Sequence, residues 1–463
     1  MNKNQISLLA IVVILFNLSF IPYSFSSNLK FVKLVCEHEE SPLLVEGQTP
    51  RFGWQLQSKE NGVEQTAYEI EIFDNKNKRI WKSRKIKSDK SQHIPYAGKA
   101  KLNSGEKYQW RVRVWDNKNK NTPWSEKNGF RLAPDKKRLN AHWISAIKRV
   151  DSNLPEGRNY HGLADTSEKG KLWQQTHPLS KRSIYLRKSF SAQKQIKDAI
   201  IYISGQGHYE LSLNGMKVGN DQYNPLWSDY DKTVYYNAYD LTEELNRGHN
   251  TIGVLLGNGF YNEQGGRYKK MQVSFGPPTL FLKLDITYTD GTKEEIISDK
   301  DWKYSPSPIV FNSMYGGEDY DARLEQPGWD TPDFDDSQWL PVVVDDAPKG
   351  ELRPQTSTPV REMEYFGIKS SKKIGDIYVL DMGQNLSGYP IFTVNGKKGD
   401  KIRLTVAERV NDDGNINQTQ SGGPYYYEYT LKGENDETWQ PRFSYYGFRY
   451  IQIEGAKTVA MNT

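Results

Sequence analysis

Cysteine is almost absent from this 463-residue sequence, where Cys36 stands alone. One thiol excludes an internal disulfide and any zinc or iron–sulfur site built from cysteines. No sign of charge dominates: 62 Lys and Arg against 57 Asp and Glu leave a net +5, which is no nucleic-acid footprint. Long apolar runs are missing after residue 20, and the mean hydropathy of −0.77 excludes a polytopic membrane protein. Catalytic signatures are missing too. There is no Gly-x-Ser-x-Gly elbow, no P-loop and no His-Glu-x-x-His. Gly257-Asn258-Gly259 lacks the third glycine of a dinucleotide fingerprint, and the seven histidines show no metal-ligand spacing.

What the chain has in plenty is aromatic side chains, 13% of all residues, including 29 Tyr and 12 Trp. A chain this long and this aromatic buries several cores, which excludes global disorder. At about 150 residues per domain, it holds roughly three. The N-terminus reads as a secretory signal peptide over residues 1–26. Lys3 precedes an apolar stretch from Ile6 to Phe20, and the small residues Ser24, Ser26 and Ser27 follow. The apolar stretch is shorter than the roughly 20 residues that span a bilayer. The expectation is a secreted or periplasmic protein with no membrane attachment after cleavage. Cys36 lies in the charged run Cys36-Glu37-His38-Glu39-Glu40, a poor lipid-attachment site.

Helix signals are nearly absent beyond that leader, while period-two alternation recurs. Tyr68, Ile70 and Ile72 share one face, as do Tyr108, Trp110, Val112 and Val114, with Arg111 and Arg113 opposite. Both runs end in Asp-Asn-Lys-Asn-Lys, at 74–78 and 116–120, which reads as two polar turns. Together with Trp54 and Trp124 they predict a small sandwich over 28–135. Residues 136–182 read as an irregular linker anchored by Trp143. A second β unit spans 183–346, with Ala199, Ile201 and Ile203 alternating and Asn214-Gly215 as a two-residue hairpin turn. Residues 347–358 read as a proline-marked linker, and a third β unit covers 359–457. The fold class is all-β, as tandem β-sandwich modules.

Two carboxylate clusters stand out, Glu318-Asp319-Tyr320-Asp321 beside Arg323, and Asp330, Asp333, Asp335 and Asp336. Such clusters suit calcium, a glycosidase acid–base pair, or plain capping and pairing with arginine. Asn411-Asp412-Asp413-Gly414-Asn415 lacks the distal Glu of a calcium loop and reads as a hairpin turn. Trp227 and Tyr230 lie among aromatics whose flat faces suit stacking on sugar C–H surfaces, or packing in a core.

The sequence resembles the bacterial α-L-rhamnosidases of glycoside hydrolase family 78, over about residues 30–455. Pro50-Arg51-Phe52-Gly53-Trp54 and Tyr108-Gln109-Trp110-Arg111 look like the family's fibronectin type III-like leader. Leu213-Asn214-Gly215, Pro225-Leu226-Trp227-Ser228-Asp229-Tyr230, Leu256-Gly257-Asn258-Gly259-Phe260-Tyr261 and Gly317-Glu318-Asp319-Tyr320-Asp321-Ala322-Arg323 look like its jelly-roll, galactose-binding-like module. Asp381-Met382-Gly383-Gln384 and Gln440-Pro441-Arg442-Phe443-Ser444 look like its concanavalin-like module.

In that family an (α/α)6 barrel carries catalysis by inversion, with an acid and a base about 6.5–9.5 Å apart. This sequence shows no such helices and stops where the barrel would begin, so no catalytic residue carries over. The resemblance implies substrate-recognition and scaffold modules for an enzyme acting on rhamnose-containing glycans or glycosides. Trp227, Tyr230, Asn258, Tyr261, Glu318, Asp319 and Asp321 are the surface candidates for carbohydrate binding. No cofactor is required, calcium is an open option, and the missing barrel is a candidate partner. Two alternatives stay open: an active rhamnosidase whose barrel comes from elsewhere, or a sugar-binding or structural β protein. In the structural version, Tyr425, Tyr426, Tyr427, Tyr445, Tyr446 and Phe448 would form an exposed apolar patch.

Overall fold

Alternating sequence gives strands almost everywhere in the computed structural model, which describes residues 27–154, 174–265, 267–268 and 272–455, and the strand at 459–460. The leader expected at 1–26 lies outside the described residues. The chain forms two compact units, one of residues 27–42 and 47–132, the other of 43–46 and 133 onward.

In the first unit, Lys30–Cys36, Arg51–Gln57 and Ile94–Pro95 form one sheet. The facing sheet has the order Arg79–Lys82, Gln65–Phe73, Lys107–Asp116, Asn128–Arg131. Ile70 and Ile72 join Trp110, Val112 and Val114 in a fully buried layer. On the other face the register sets Glu71 opposite Arg111 and Glu69 opposite Arg113. Arg111 Nε donates to Glu71 at 2.9 Å and Arg113 Nε to Glu69 at 2.7 Å, cross-strand pairs that fix the pairing. The repeated pentapeptides fold alike. Asp74 Oδ1 accepts from the N–H of Lys76 and Lys78, and Asp116 Oδ1 from those of Lys118 and Lys120. The short Asx side chain replaces a backbone acceptor, and Asn77 and Asn119 take the left-handed conformation.

The second unit holds two sandwiches. In one, a six-stranded sheet has the order Met216–Lys217, Tyr209–Leu213, Gly248–Leu256, Ile184–Ala192, Lys303–Pro306, Leu340–Pro341. It faces a sheet ordered Val343–Asp345, Trp143–Ser145, Thr279–Tyr288, Ile196–Gln206, Thr233–Asp240, Glu351–Pro354. Leu186, Ile201, Ile203, Val254, Leu282 and Trp302 fill the space between them. Asn214 and Gly215 have φ of 53° and 83°, the two positive values that a tight hairpin between twisted strands needs.

Both expected linkers contribute strands to this sandwich. Trp143–Ser145 pairs with Val343–Asp345, and Glu351–Pro354 runs parallel to Thr233–Asp240. Polar composition hid them because each is short and lies at or near a sheet edge. Trp143 is the anchor expected, buried against Phe281 at 5.4 Å.

The other sandwich is built on a seven-stranded sheet ordered Ile309–Ser313, Gly317–Asp321, Tyr426–Thr430, Lys401–Ala407, Tyr446–Glu454, Ile377–Gly388, Ser370–Ile374. Its first two strands lie inside 183–346 by sequence, yet they pair with the concanavalin-like region rather than with the jelly roll. Gly317–Asp321 runs parallel to Tyr426–Thr430, residue for residue. Gly317 makes this approach feasible: its φ is +98°, and a Cβ there would lie 1.9 Å from the Tyr426 carbonyl oxygen. Residues 411–415 form the turn expected, joining Arg409–Val410 to Ile416–Asn417.

The apolar patch foreseen on the third module is different from the one found. Tyr425, Tyr427 and Phe448 are buried at 3%, 0% and 2% exposure, because alternate residues of these strands point into the sandwich. Tyr445 is exposed, and so are Met363, Tyr365, Phe366 and Ile391. These exposed residues border a groove of about 940 Å³ floored by Leu380, Leu404 and Phe448.

Candidate functional site

The seven candidate residues do not converge on one site. They fall into separate places, each with its own chemistry.

Trp227 is the exposed one, at 59%. It stands on a loop held at both ends. The Leu226 N–H donates to Gln355 Oε1 at 2.9 Å, and Ser228 Oγ donates to the Thr233 carbonyl at 2.6 Å. Its indole stacks on Phe260 with ring centroids 5.6 Å apart and planes 25° apart. An exposed indole braced from behind by a second ring is a rigid apolar platform with little conformational freedom left to lose.

Tyr230 and Tyr261 meet elsewhere. Their rings are 5.2 Å apart, edge to face, and both contact Phe275. Each is only 5% exposed, contrary to the expectation of a surface position. Burial pushes the Tyr261 phenol up to about 12 and raises Tyr230 further. Together they line one wall of a cavity of about 680 Å³ bordered by Arg149, Asp231 and Lys349.

Asn258 and Glu318 are interior residues, both at 0% exposure, and this corrects their assignment to the surface. Asn258 Nδ2 donates to the carbonyls of Lys181 and Asn312, while its Oδ1 accepts from Asn262. Its amide is used up in tying loops together. The flanking glycine has a similar purpose: a Cβ on Gly257 would lie 2.4 Å from the ring of Phe443. Glu318 accepts the backbone N–H groups of Arg442 and Phe443, each at 3.0 Å. Burial pushes its carboxyl up to about 8.

Asp319 is ion-paired with Arg267, whose guanidinium also lies 3.6 Å from the centroid of the Tyr426 ring. Burial holds the Asp319 carboxyl above its ordinary range, against the pull of Arg267. Asp321 receives a two-pronged hydrogen bond from Arg323, at 2.8 and 2.7 Å, which holds it below its ordinary range. In the other cluster Asp336 is paired with Arg187 and Lys303, and Asp335 accepts the Ser337 N–H. Among the described residues no three His, Cys, Asp or Glu side chains converge into a cluster that could hold a metal. Arginine or lysine pairing engages Asp319, Asp321 and Asp336, and turn capping engages Asp335.

Sequence reasoning missed two residues that shape this region. Glu263 is fully buried, accepts from Ser313 Oγ and the Met314 N–H, and is pushed up to about 8 by burial. It holds the tip of the hairpin formed by Ile309–Ser313 and Gly317–Asp321. His208, also fully buried, packs among Tyr223, Phe260 and Phe443 and is held down to about 3. Neither carries a local signal, because both are defined by loops that meet only in the fold.

Comparison with known proteins accounts for the whole modular series. The rhamnosidase N-terminal domain matches residues 194–364, and the Rha78A-like N-terminal immunoglobulin domain matches 31–134. The bacterial α-L-rhamnosidase concanavalin-like domain matches 372–463. Immunoglobulin and fibronectin type III modules share the sandwich architecture expected for the first region. An α-L-rhamnosidase of Formosa agariphila is 33% identical over 99% of this chain and 49% of its own length. One of Streptomyces avermitilis is 37% identical over 61% of this chain and 28% of its own.

Among solved structures, the Dictyoglumus thermophilum α-L-rhamnosidase superposes with a TM-score of 0.79 at 33% identity, covering 94% of this chain and 48% of that one. The Streptomyces avermitilis α-L-rhamnosidase complexed with L-rhamnose superposes with a TM-score of 0.82 at 25% identity, covering 94% and 57%. The chain spans about half the length, or less, of the curated relatives it matches. The chain carries, in series, the immunoglobulin-like, N-terminal and concanavalin-like domains found in the α-L-rhamnosidases of glycoside hydrolase family 78.

Proposed function

We propose that these modules recognise rhamnose-containing glycans or glycosides and form the scaffold of an enzyme that hydrolyses terminal α-L-rhamnose, and that they have no hydrolytic activity alone. The observation that carries this reading is the exposed Trp227 indole stacked on Phe260, a braced platform for the apolar face of a sugar. Tyr230 and Tyr261, with their cavity beside Arg149 and Lys349, supply a second recess in the same module. Asn258, Glu318 and Asp319 serve by tying loops and strands together, and Asp321 by its local pairing with Arg323. The relative complexed with L-rhamnose supports the choice of sugar. A partner (α/α)6 domain would supply the acid and the base, and an exported setting, secreted or periplasmic, goes with this reading.

The test uses the purified chain from residue 27. Calorimetric titration with L-rhamnose is expected to give saturable binding, and incubation with an aryl α-L-rhamnoside is expected to release no product. Turnover by the chain alone would overturn the non-catalytic assignment. Repeating the titration with calcium and with chelator tests the remaining calcium option. A second reading, a docking protein, draws on the exposed Met363, Tyr365, Phe366 and Ile391 beside the 940 Å³ groove. It predicts self-association in sedimentation, and a monomer at high concentration would remove it.

A further inference from the structure

The two stretches that read as linkers each bring a cation to the same cavity. Arg149 comes from the short helical turn Arg149–Asp151 and Lys349 from the loop before Glu351–Pro354, and both border the cavity of about 680 Å³ walled by Tyr230 and Tyr261. Both segments are fixed there. The Arg149 N–H donates to Asp345 Oδ2 at 3.0 Å, and the Gly350 N–H donates to the Tyr230 carbonyl at 3.1 Å. A Cβ on Gly350 would lie 2.6 Å from that carbonyl oxygen, so the backbone beside Lys349 approaches the wall as only glycine can. The wall itself is braced, because the Tyr261 hydroxyl donates to the Phe275 carbonyl at 3.1 Å. Burial raises that phenol and the Arg149 guanidinium draws it back, so the cation stands near the hydroxyl.

The charges around this cavity are not matched. Elsewhere in the same unit Arg187 and Lys303 hold Asp336, Lys188 holds Asp299 and Arg267 holds Asp319. Among the described residues, neither Arg149 nor Lys349 has a carboxylate within ion-pair reach, and the side-chain amide of Asn153, on the same lining, has no hydrogen-bond partner. The neighbouring acids are engaged. Asp231 is not free, and Asp345 accepts the backbone N–H groups of Arg149 and Asp346.

We propose that this cavity binds an acidic sugar, a hexuronate, with its carboxylate held by Arg149 and Lys349. This rests on the reading that the jelly-roll module recognises sugars, and names the class for its second recess. Two cations without acids call for an anion, and the planar fork of Arg149 matches a carboxylate at two points. Tyr230, Tyr261 and Phe275 supply apolar surface for the C–H groups of a sugar ring, and the Asn153 amide can both donate to and accept from its hydroxyls. A simple inorganic anion would use the cations and leave the rest of the lining idle. The volume of about 680 Å³ falls within the roughly 300–1,000 Å³ of small-ligand sites. Because the lining is tied in place by backbone hydrogen bonds, the site is formed before the ligand arrives, which lowers the ordering cost of binding.

The test is calorimetric titration of the chain from residue 27 with D-glucuronate, D-glucose, sodium sulfate and L-rhamnose, on the native protein, Arg149→Gln and Lys349→Gln. Both substitutions fall on exposed side chains, so the variants should fold. Glucuronate is expected to bind the native protein about tenfold more tightly than glucose, the size of one charge-assisted contact. Each glutamine variant should lose about that tenfold, and added salt should weaken the native binding because both cations stand at the mouth. Equal affinity for glucuronate and glucose, or a preference that survives in both variants, overturns the acidic-sugar assignment. Sulfate binding as tight as that of glucuronate overturns the sugar and leaves a simple anion site. Glucuronate binding without L-rhamnose binding would support this site and overturn the Trp227 reading alone, whereas L-rhamnose binding without glucuronate binding would do the reverse. No binding of any sugar overturns both.

Discussion

Glu318 and Phe443 are joined by a 3.0 Å hydrogen bond from the backbone N–H of the later residue to the carboxylate of the earlier, across 125 positions of sequence. The same carboxylate takes the N–H of Arg442. One buried side chain thus ties the loop at Arg442 and Phe443 to the hairpin strand, next to the parallel pairing of Gly317–Asp321 with Tyr426–Thr430. Its acidity is used for architecture. Glu318→Ala would leave two buried N–H groups without acceptors, at about 1–3 kcal/mol each. Thermal or denaturant unfolding should show a loss of about 2–5 kcal/mol, against the near-neutral effect expected of a surface carboxylate.

Gly317→Ala should be as damaging for a different reason. The added methyl would press on the Tyr426 carbonyl from a backbone held at positive φ. The expected outcome is loss of protection from hydrogen exchange in Tyr426–Thr430 with the first unit unaffected. Unchanged protection would show that the strand pairing tolerates a side chain there.

Two buried acids and a buried histidine contribute to the pH dependence of the second unit. Glu263 and Glu318 bind a proton more tightly folded than unfolded, up to about 8 from 4.5. Their contribution is complete below the unfolded value and is lost as pH rises toward 8. His208 is held down to about 3 from 6.5, so its contribution is present above 6.5 and lost as pH falls from there toward 3. Between pH 6.5 and 8 only the acids act in this set, and stability should fall. Glu263→Gln keeps an oxygen to accept the Met314 N–H and offers Ser313 Oγ an amide N–H in place of the oxygen it now donates to, so it should fold and flatten the fall in that window. Urea midpoints at pH 6.5, 7.2 and 8 would check it, and an unaltered slope would remove Glu263 as a cause.

Cys36 should be inert while the first unit is folded. It is fully buried, and burial with Glu37 nearby raises its thiol well above the ordinary range. Ellman's reagent should find essentially no thiol in the native protein and one per chain in denaturant. Rapid labelling of the native protein would contradict the burial.

The parts of the fold that were legible beforehand are those fixed by nearby residues. Alternation at Tyr108–Val114 gave a strand and its buried face, and Asn214-Gly215 gave a hairpin, because side-chain period and backbone φ are local properties. What stayed hidden depended on long-range pairing. Trp143–Ser145 and Glu351–Pro354 looked like linker until their partner strands were in place. Glu318, Asp319 and Asp321 looked like a ligand site because a run of carboxylates reads the same whether it faces solvent or arginines and backbone N–H groups. Trp227 was legible as an aromatic in a loop, but its bracing by Phe260 was not.

The most direct measurement is a calorimetric titration of L-rhamnose into the native chain and into Trp227→Ala side by side. Trp227 is exposed apart from its stack on Phe260, so its removal should cost about 0.5–1.5 kcal/mol of folding stability and leave the protein folded. The account predicts saturable binding to the native protein and none to the folded variant. Equal binding by both proteins, or none by either, would contradict it.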